Sequence, residues 1–283
     1  KETHMQITQR TKIAGLIGHP VAHSLSPALH NHLYDKLGLD MAYAAFDVPP
    51  ERVAAAVDGL RALGFIGFNI TIPHKETVYR LLDHVDREAE IIGAVNTVKI
   101  ENGVLTGYNT DGQGFIQSLN YSGIHIKGRK VTLLGSGGSA RSIGIYLAKE
   151  DPDSIHIINR TFEKADQLAG IINHYRSRAL AQAVREIPTD ADIIINTTNL
   201  GMWPHTDGNP LQGIRLESRT VVCDIVYNPR QTAMLQYAAA RGCTVTGGLG
   251  MLIGQALRAV EIWLGRSLPE DSWKIMLEAA DIE

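Results

Sequence analysis

Short apolar runs alternate along this chain with longer segments in which apolar residues recur at helical spacing. In the first half, buried strands are predicted at residues 13–18, 42–48 and 64–68. Parallel neighbours need a long crossover connection, usually a helix, so strands spaced in this way are typical of β-α-β units. The pattern therefore predicts an α/β fold whose first domain has a mostly parallel sheet.

One segment of this first half combines a strand end with a candidate chemical group. It is Asn-Ile-Thr-Ile-Pro-His-Lys at 69–75. Pro73 cannot donate to a sheet ladder, so the strand should stop there and leave Lys75 on the turn into the next helix. Ligands of open α/β sheets bind at this end of the strands. Most lysines near helix starts are nevertheless solvated, so the position alone assigns no role.

Two serines ahead of the first helix allow two interpretations. Ser26 followed by Pro27 is typical of a helix N-cap and first helical residue. Ser24 and Ser26 are also two apart, so in an extended segment both hydroxyls face the same side. Convergent hydroxyls beside a helix N-terminus suit a polyol or a carboxylate. The spacing leaves both interpretations open.

Polar residues also mark the ends of a predicted hairpin formed by residues 94–100 and 104–108. Asn96 and Asp111 could be simple turn formers. Together with Ser24, Ser26, Thr71 and Lys75, they would supply neutral donors, one cation and one anion. A small, hydroxylated, acidic substrate requires such a set.

The second half carries a glycine-rich turn between a predicted strand, 130–134, and a predicted helix, 141–149. The turn reads Gly135-Ser136-Gly137-Gly138-Ser139-Ala140. Glycines there let the backbone approach a pyrophosphate, which sits at the positive end of the following helix. Further strands are predicted at 154–158, 190–196, 221–226 and 244–246. We therefore predict a Rossmann dinucleotide-binding domain.

The residue that follows the second strand of this half indicates which dinucleotide is bound. NAD-binding folds usually place an acid there for the ribose 2′-hydroxyl, whereas this chain has Arg160, with Lys164 one helical turn later. A guanidinium suits a 2′-phosphate, so NADP is favoured over NAD. An exposed arginine that opens a helix is the alternative.

Composition and charge exclude several function classes. With 44% apolar residues and a net charge of −3, the chain has a real core and no broad basic field, so nucleic acid is not expected as a partner. No apolar run approaches a membrane span, and residues 1–12 lack the apolar core of a secretory signal. Cys223 and Cys243 are expected as buried free thiols, which favours the cytoplasm. The histidines show no ligand set at metal spacing, so no metal is expected.

Taken together, these motifs resemble the shikimate dehydrogenase family, which includes quinate/shikimate dehydrogenases. The resemblance rests on Ser-Leu-Ser-Pro at 24–27, the 69–75 segment, Gly-Ala-Val-Asn-Thr at 93–97, Asn-Thr-Asp-Gly at 109–112, Asn-Arg-Thr at 159–161 and Gly-Leu-Gly-Met-Leu at 248–252 with Gln255. Two positions depart from the family pattern: His74 fills its variable position, and Lys164 stands where some members have a second arginine.

The resemblance implies a role for each matched residue. Lys75 and Asp111 would form the catalytic pair. Substrate would be bound by Ser24, Ser26, Thr71, Asn96, Tyr227 and Gln255. The cofactor would contact Gly135, Ser136, Gly137, Gly138, Ser139, Asn159, Arg160, Thr161, Lys164, Ile225 and Gly248.

The resemblance also implies a function for each domain. Residues 1–112 would bind substrate and carry catalysis, residues 113–247 would bind NADP, and the helices of 248–283 would return to the first domain. The implied reaction is NADP-dependent reduction of 3-dehydroshikimate to shikimate, by a cytoplasmic monomer or homodimer. A dehydrogenase that also takes quinate or NAD, and a ligand-binding regulator without turnover, remain the alternatives.

Overall fold

The computed structural model describes residues 7–282, so residues 1–6 of the polar N-terminal stretch lie outside the described residues. The chain divides into two compact units. One ends at Thr110 and resumes at Ile253, and the other runs from Asp111 to Leu252. The boundaries expected from the sequence lie after residues 112 and 247.

The first unit is built on a six-stranded mixed sheet. Its strands are β1 (Lys12–Gly18), β2 (Met41–Asp47), β3 (Gly67–Ile70), β4 (His84–Val85), β5 (Thr97–Glu101) and β6 (Val104–Tyr108), in the order β2-β1-β3-β5-β6-β4. The pairs β1–β2, β1–β3 and β4–β6 are parallel, while β5 runs antiparallel to both β3 and β6. The predicted hairpin is the β5–β6 pair.

The helices of the first unit are α1 (Ser26–Lys36), α2 (Val53–Ala62) after a 3-10 turn at Pro50–Arg52, α3 (Lys75–Tyr79), α4 (Arg87–Ile92), α9 (Leu249–Leu264) and α10 (Ser272–Ile282). Helix α9 begins in the second unit and continues into the first. Its Trp263 indole N–H donates to the Val98 carbonyl at 2.9 Å, beside Gly67, where any Cβ would overlap the indole. The C-terminal helices therefore pack on the first domain, as predicted.

The second unit contains a six-stranded parallel sheet. Its strands are β7 (Lys130–Leu134), β8 (Ser154–Ile158), β9 (Ala181–Ala183), β10 (Ile193–Asn196), β11 (Val221–Asp224) and β12 (Thr244–Thr246), in the order β12-β11-β10-β7-β8-β9. The helices are α5 (Asp111–Tyr121), α6 (Gly138–Lys149), α7 (Phe162–Arg176) and α8 (Ala233–Ala239). This order reverses direction between β7 and β10, which is the doubly wound Rossmann arrangement. The predicted fold class is confirmed.

Several element boundaries differ from those predicted. Strand β3 starts at Gly67 because Gly64, at φ +73°, takes the left-handed conformation that terminates α2. Helix α5 begins at Asp111, and helix α6 at Gly138, three residues before its predicted start of 141. The two short strands β4 and β9 were not predicted, because two or three residues carry no readable alternation.

Cys223 and Cys243 are free and buried, as predicted. Between residues 7 and 282, no helix combines the length and the apolar character needed to cross a membrane.

Candidate active site

The turn that carries Lys75 is fixed by backbone hydrogen bonds and by one buried side chain. Thr71 N–H donates to the Ile17 carbonyl of β1, and its own carbonyl accepts from His74 N–H at 3.0 Å. The His74 imidazole is 1% exposed, and its Nε2 lies 2.7 Å from the Val48 carbonyl just after β2. Lys75 follows as the first residue of α3 and is half-buried. The turn therefore holds Lys75 at the carboxyl ends of β1 and β3, as the sequence predicts.

A network of buried polar side chains lies directly behind this turn. Asn69 accepts from the Tyr43 hydroxyl at 2.7 Å and donates to the Thr97 hydroxyl at 3.0 Å. Asn96 donates to the Thr110 hydroxyl at 3.0 Å and accepts from the Thr110 backbone N–H at 2.8 Å. Buried amides are stable only when partnered, so these bonds fix Asn96 and the backbone that leads into Asp111.

The structure decides against the N-cap interpretation of Ser26. Helix α1 begins at Ser26, residue Leu25 occupies the N-cap, and no side chain caps the helix, so the N-cap prediction for Ser26 is wrong. The Ser24 hydroxyl instead accepts from the Ser26 backbone N–H at 3.2 Å. Ser26 is buried, and its hydroxyl hydrogen-bonds the Tyr43 phenol. Ser26 is thereby connected through Tyr43 to the Asn69 amide.

Tyr43 is held by a buried histidine that no sequence motif indicated. The rings of His30 and Tyr43 are stacked, with centroids 4.0 Å apart and planes 2° from parallel, and His30 Nδ1 lies 3.1 Å from the Tyr34 hydroxyl. His30 is fully buried, and this desolvation lowers its pKa to about 3. The imidazole is therefore neutral in the folded protein.

This buried imidazole predicts a loss of stability on acidification. Because the folded pKa lies below the unfolded value, the stability that neutral His30 contributes is complete above pH 6.5 and is lost as the pH falls from 6.5 toward 3. Between pH 7 and pH 5, that is roughly 2 kcal/mol. Over this interval, we expect the free energy of unfolding of His30→Phe to fall by roughly 2 kcal/mol less than that of the parent chain, measured by urea unfolding. His30→Gln should show the same reduced dependence of the free energy of unfolding on pH. The same pH dependence in all three proteins would contradict this prediction.

The two units divide the predicted site residues between them. The first unit holds Ser24, Ser26, Thr71, Lys75, Asn96 and Gln255. The second unit holds Asp111, Tyr227 and all the residues predicted to contact cofactor. Asp111 is 4% exposed at the start of α5, and Gln255 is half-buried on α9. Tyr227 follows β11, and burial raises the pKa of its phenol.

The glycine-rich turn has the backbone that a dinucleotide pyrophosphate requires. Gly135 has φ +113°, and a Cβ there would lie 2.6 Å from the Thr197 hydroxyl, so only glycine fits. Gly137 is exposed at the N-cap of α6, and a Cβ there would meet no atom within 4 Å. The open space in front of a twelve-residue helix is where an anionic pyrophosphate would fit.

One group of the other predicted cofactor residues lies at the same edge of the sheet as the glycine turn. Gly135 N–H donates to the Ile158 carbonyl at 2.8 Å, which places the glycine turn beside the Asn159-Arg160 segment. The Asn159 amide donates to the Thr161 carbonyl at 2.9 Å. Elsewhere in this unit, a Cβ at Gly248 would overlap the Ile225 carbonyl, so the two chain segments lie against each other.

A buried carboxylate shapes the loop that carries Ile225 and Tyr227. Asp224 is 1% exposed and accepts from Val226 N–H at 3.0 Å, from the Asn196 amide at 3.0 Å and from the Thr232 hydroxyl at 2.7 Å. Desolvation raises the pKa of this carboxyl, and the three hydrogen bonds oppose that rise. Asp224 thus anchors the loop after β11.

A cavity of ≈ 590 Å³ opens beside Arg160 at the carboxyl end of β8. Its lining includes Asn159, Arg160, Thr161, Phe162, Glu163 and Arg185. Lys164 is exposed on α7 and is absent from the lining residues that the structure describes. Arg185 is a candidate that sequence reasoning missed, because it follows the unpredicted strand β9.

The Tyr43–His30 pair also has no motif in the sequence that marks it. Tyr43 and His30 could have been suspected only as polar groups among apolar neighbours. Across residues 7–282, no three histidine, cysteine or acidic side chains are grouped so as to hold a metal ion.

The fold and the glycine turn define a two-unit α/β protein that binds a dinucleotide. Family models match most of the chain: a shikimate dehydrogenase substrate-binding domain at residues 16–98, a shikimate/quinate 5-dehydrogenase at 118–233, and a shikimate 5′-dehydrogenase C-terminal domain at 248–272. The chain belongs to the shikimate dehydrogenase family.

Individual relatives agree with this assignment. The chain is 46% identical over 270 residues to the shikimate dehydrogenase (NADP+) of Caldanaerobacter subterraneus, covering 94% of this chain and 96% of that one. A crystal structure of shikimate dehydrogenase in complex with NADP+ superposes with a TM-score of 0.91 at 39% identity, covering 100% and 99% of the chains. The ligand-free 5-ketofructose reductase of a Gluconobacter strain superposes with a TM-score of 0.85 at 38% identity, covering 98% and 100%.

Proposed function

We propose that this chain catalyses the reversible, NADP-dependent reduction of 3-dehydroshikimate to shikimate. The observation that carries the proposal is the combination of Lys75 on a rigid turn with a glycine turn shaped for a pyrophosphate. The named relatives and the NADP+ complex of a similar chain support it. This reaction belongs to aromatic amino-acid biosynthesis.

In this proposal, Lys75 and Asp111 exchange the proton on the reacting oxygen. The hydride for the carbonyl carbon would come from NADPH held by the cofactor residues of the second unit. The Lys75 ammonium would donate a proton to the oxygen and stabilise the negative charge that develops there, with Asp111 as the second member of the proposed catalytic pair. In the oxidation direction, neutral Lys75 accepts the proton from the carbinol.

The remaining polar residues are proposed to orient the substrate. Ser24 and Ser26 would bind its carboxylate, while Thr71, Asn96, Tyr227 and Gln255 would hydrogen-bond its hydroxyls. The positions of Ser26 and Asn96 are fixed by other buried side chains, through Tyr43 and Thr110. Rigid donors of this kind discriminate against analogues that lack the matching hydroxyl.

The cofactor residues are proposed to act in three groups. Gly135 to Ser139 would cradle the pyrophosphate, Asn159 to Lys164 the adenosine 2′-phosphate, and Ile225 with Gly248 the nicotinamide end. Arg160 is the group that favours NADP over NAD, because its guanidinium can form bidentate bonds to a phosphate. Free buried thiols agree with a cytoplasmic enzyme, which we expect to act as a monomer or homodimer.

Two other substrates have specific support. One family model names quinate beside shikimate, and 5-ketofructose is the substrate in the name of a reductase at 38% identity. A regulator that binds these ligands without turnover would keep the same residues.

Steady-state kinetics with each substrate and each cofactor test the proposal. We expect the highest kcat/KM with shikimate and NADP, because NAD lacks the 2′-phosphate, fructose lacks the carboxylate, and quinate differs from shikimate in its ring saturation and in one additional hydroxyl. Quinate with NADP, shikimate with NAD, and fructose (the alcohol formed by reducing 5-ketofructose) with NADP are the comparisons. A higher kcat/KM for quinate or fructose would reassign the substrate, and turnover with NAD equal to that with NADP would remove the cofactor preference.

A further inference from the structure

Arg185 shares an edge of the second sheet with Arg160. Strands β8 and β9 are parallel, with Ile157 paired to Ala183, and Val184 N–H donates to the Ile157 carbonyl at 2.9 Å. Residues just beyond the two strands therefore emerge side by side, about 5 Å apart in the direction of the hydrogen bonds. Arg160 and Arg185 each lie two residues beyond the end of their strand.

The Arg185 side chain is oriented although it is exposed. Its guanidinium carbon lies 4.5 Å from the centre of the Phe162 ring, a cation–π contact. Phe162 is the first residue of α7, two positions after Arg160. The ring thus holds the second guanidinium against the segment that carries the first.

The charge of the cavity favours a dianion. Arg160 and Arg185 both line it, while Glu163 is the one carboxylate among the lining residues. A 2′-phosphate carries close to two negative charges near neutral pH, and guanidinium is the cation that best matches its oxygens. Lys164 could add only a point charge, and it is not among the lining residues.

We propose that Arg185 is a second specificity-determining contact for the 2′-phosphate of NADP, acting together with Arg160. This inference rests on the proposed use of NADP and adds a residue to it. Two guanidinium groups from neighbouring strands would clamp the phosphate from two sides. The Phe162 ring would keep Arg185 in place when the cavity is empty, which lowers the cost of ordering this side chain on binding.

Calorimetric titration of the full chain with 2′,5′-ADP and with 5′-AMP tests the role of Arg185, because these probes differ only in the 2′-phosphate. We expect Arg185→Gln to weaken 2′,5′-ADP roughly tenfold or more and to change 5′-AMP less than about twofold. Arg185→Lys should recover part of the loss. Arg215→Gln removes an exposed charge elsewhere in the same unit and should bind both probes as the parent does.

The possible outcomes separate the two proposals. Equal weakening of both probes in Arg185→Gln would assign Arg185 to the adenosine and overturn its role at the phosphate. If Arg185→Gln binds 2′,5′-ADP as the parent does while Arg160→Gln binds it more weakly, the role of Arg185 is also overturned, but the NADP proposal stands. If the parent chain binds 2′,5′-ADP no better than 5′-AMP, the NADP proposal itself fails.

Discussion

Lys75→Ala is expected to lower kcat for shikimate oxidation by roughly 10³-fold while KM changes by less than about threefold. The ammonium group is the proposed proton donor and also stabilises charge on the reacting oxygen, and effects of this size are usual for such groups. In the proposed site the substrate would be held mainly by hydroxyl and amide groups, so its affinity should persist. Steady-state kinetics with saturating NADP measure both parameters.

Two further variants separate proton transfer from simple attraction. Lys75→Arg keeps a positive charge, but a guanidinium does not release its proton in a protein, so it should recover little activity. Lys127→Ala, which removes an exposed lysine in the second unit, should leave kcat and KM unchanged. A Lys75→Ala enzyme with the parental kcat would remove Lys75 from the mechanism.

Gly137→Val is expected to abolish the binding of both NADP and NAD without unfolding the protein. The residue has φ −75° at the N-cap of α6, a conformation open to any side chain, and a Cβ there meets nothing within 4 Å. The proposed occupant of that space is the pyrophosphate common to both cofactors. We expect the dissociation constants to rise by roughly 100-fold or more, measured by calorimetry, with Tm within about 2 °C of the parent.

Two other glycines provide the comparison for Gly137. Gly170 lies exposed on α7 with no atom within 4 Å of an added Cβ, so Gly170→Val should bind both cofactors normally. Gly135→Ala should instead lower Tm, because φ +113° is strained for alanine and its Cβ would overlap the Thr197 hydroxyl. Normal cofactor binding by Gly137→Val would show that the pyrophosphate lies elsewhere.

The sequence predicted the Rossmann half closely, because parallel strands buried on both faces are continuous apolar runs. Strands β7, β8 and β12 begin and end at the predicted residues. The glycine turn could also be predicted, because its backbone conformation at Gly135 requires glycine and so leaves a mark in the sequence.

Interactions between distant residues could not be read from local patterns. The contacts that fix Ser26 and Asn96 join residues far apart in the sequence, such as Asn96 with Thr110. Ser26 followed by Pro27 has the residue types of an N-cap and first helical residue, yet the Ser26 hydroxyl bonds to Tyr43 instead. Arg185 was missed because β9 is a three-residue edge strand, too short to show alternation.

The central claim is that this chain is an enzyme rather than a binding protein, and the most direct measurement is the stoichiometry of its products. The purified chain would be incubated with shikimate and NADP, and 3-dehydroshikimate and NADPH would be quantified by chromatography and absorbance. We predict that both form in equal amounts, and that Lys75→Ala forms neither at a comparable rate. Binding of shikimate and NADP without either product would contradict the account.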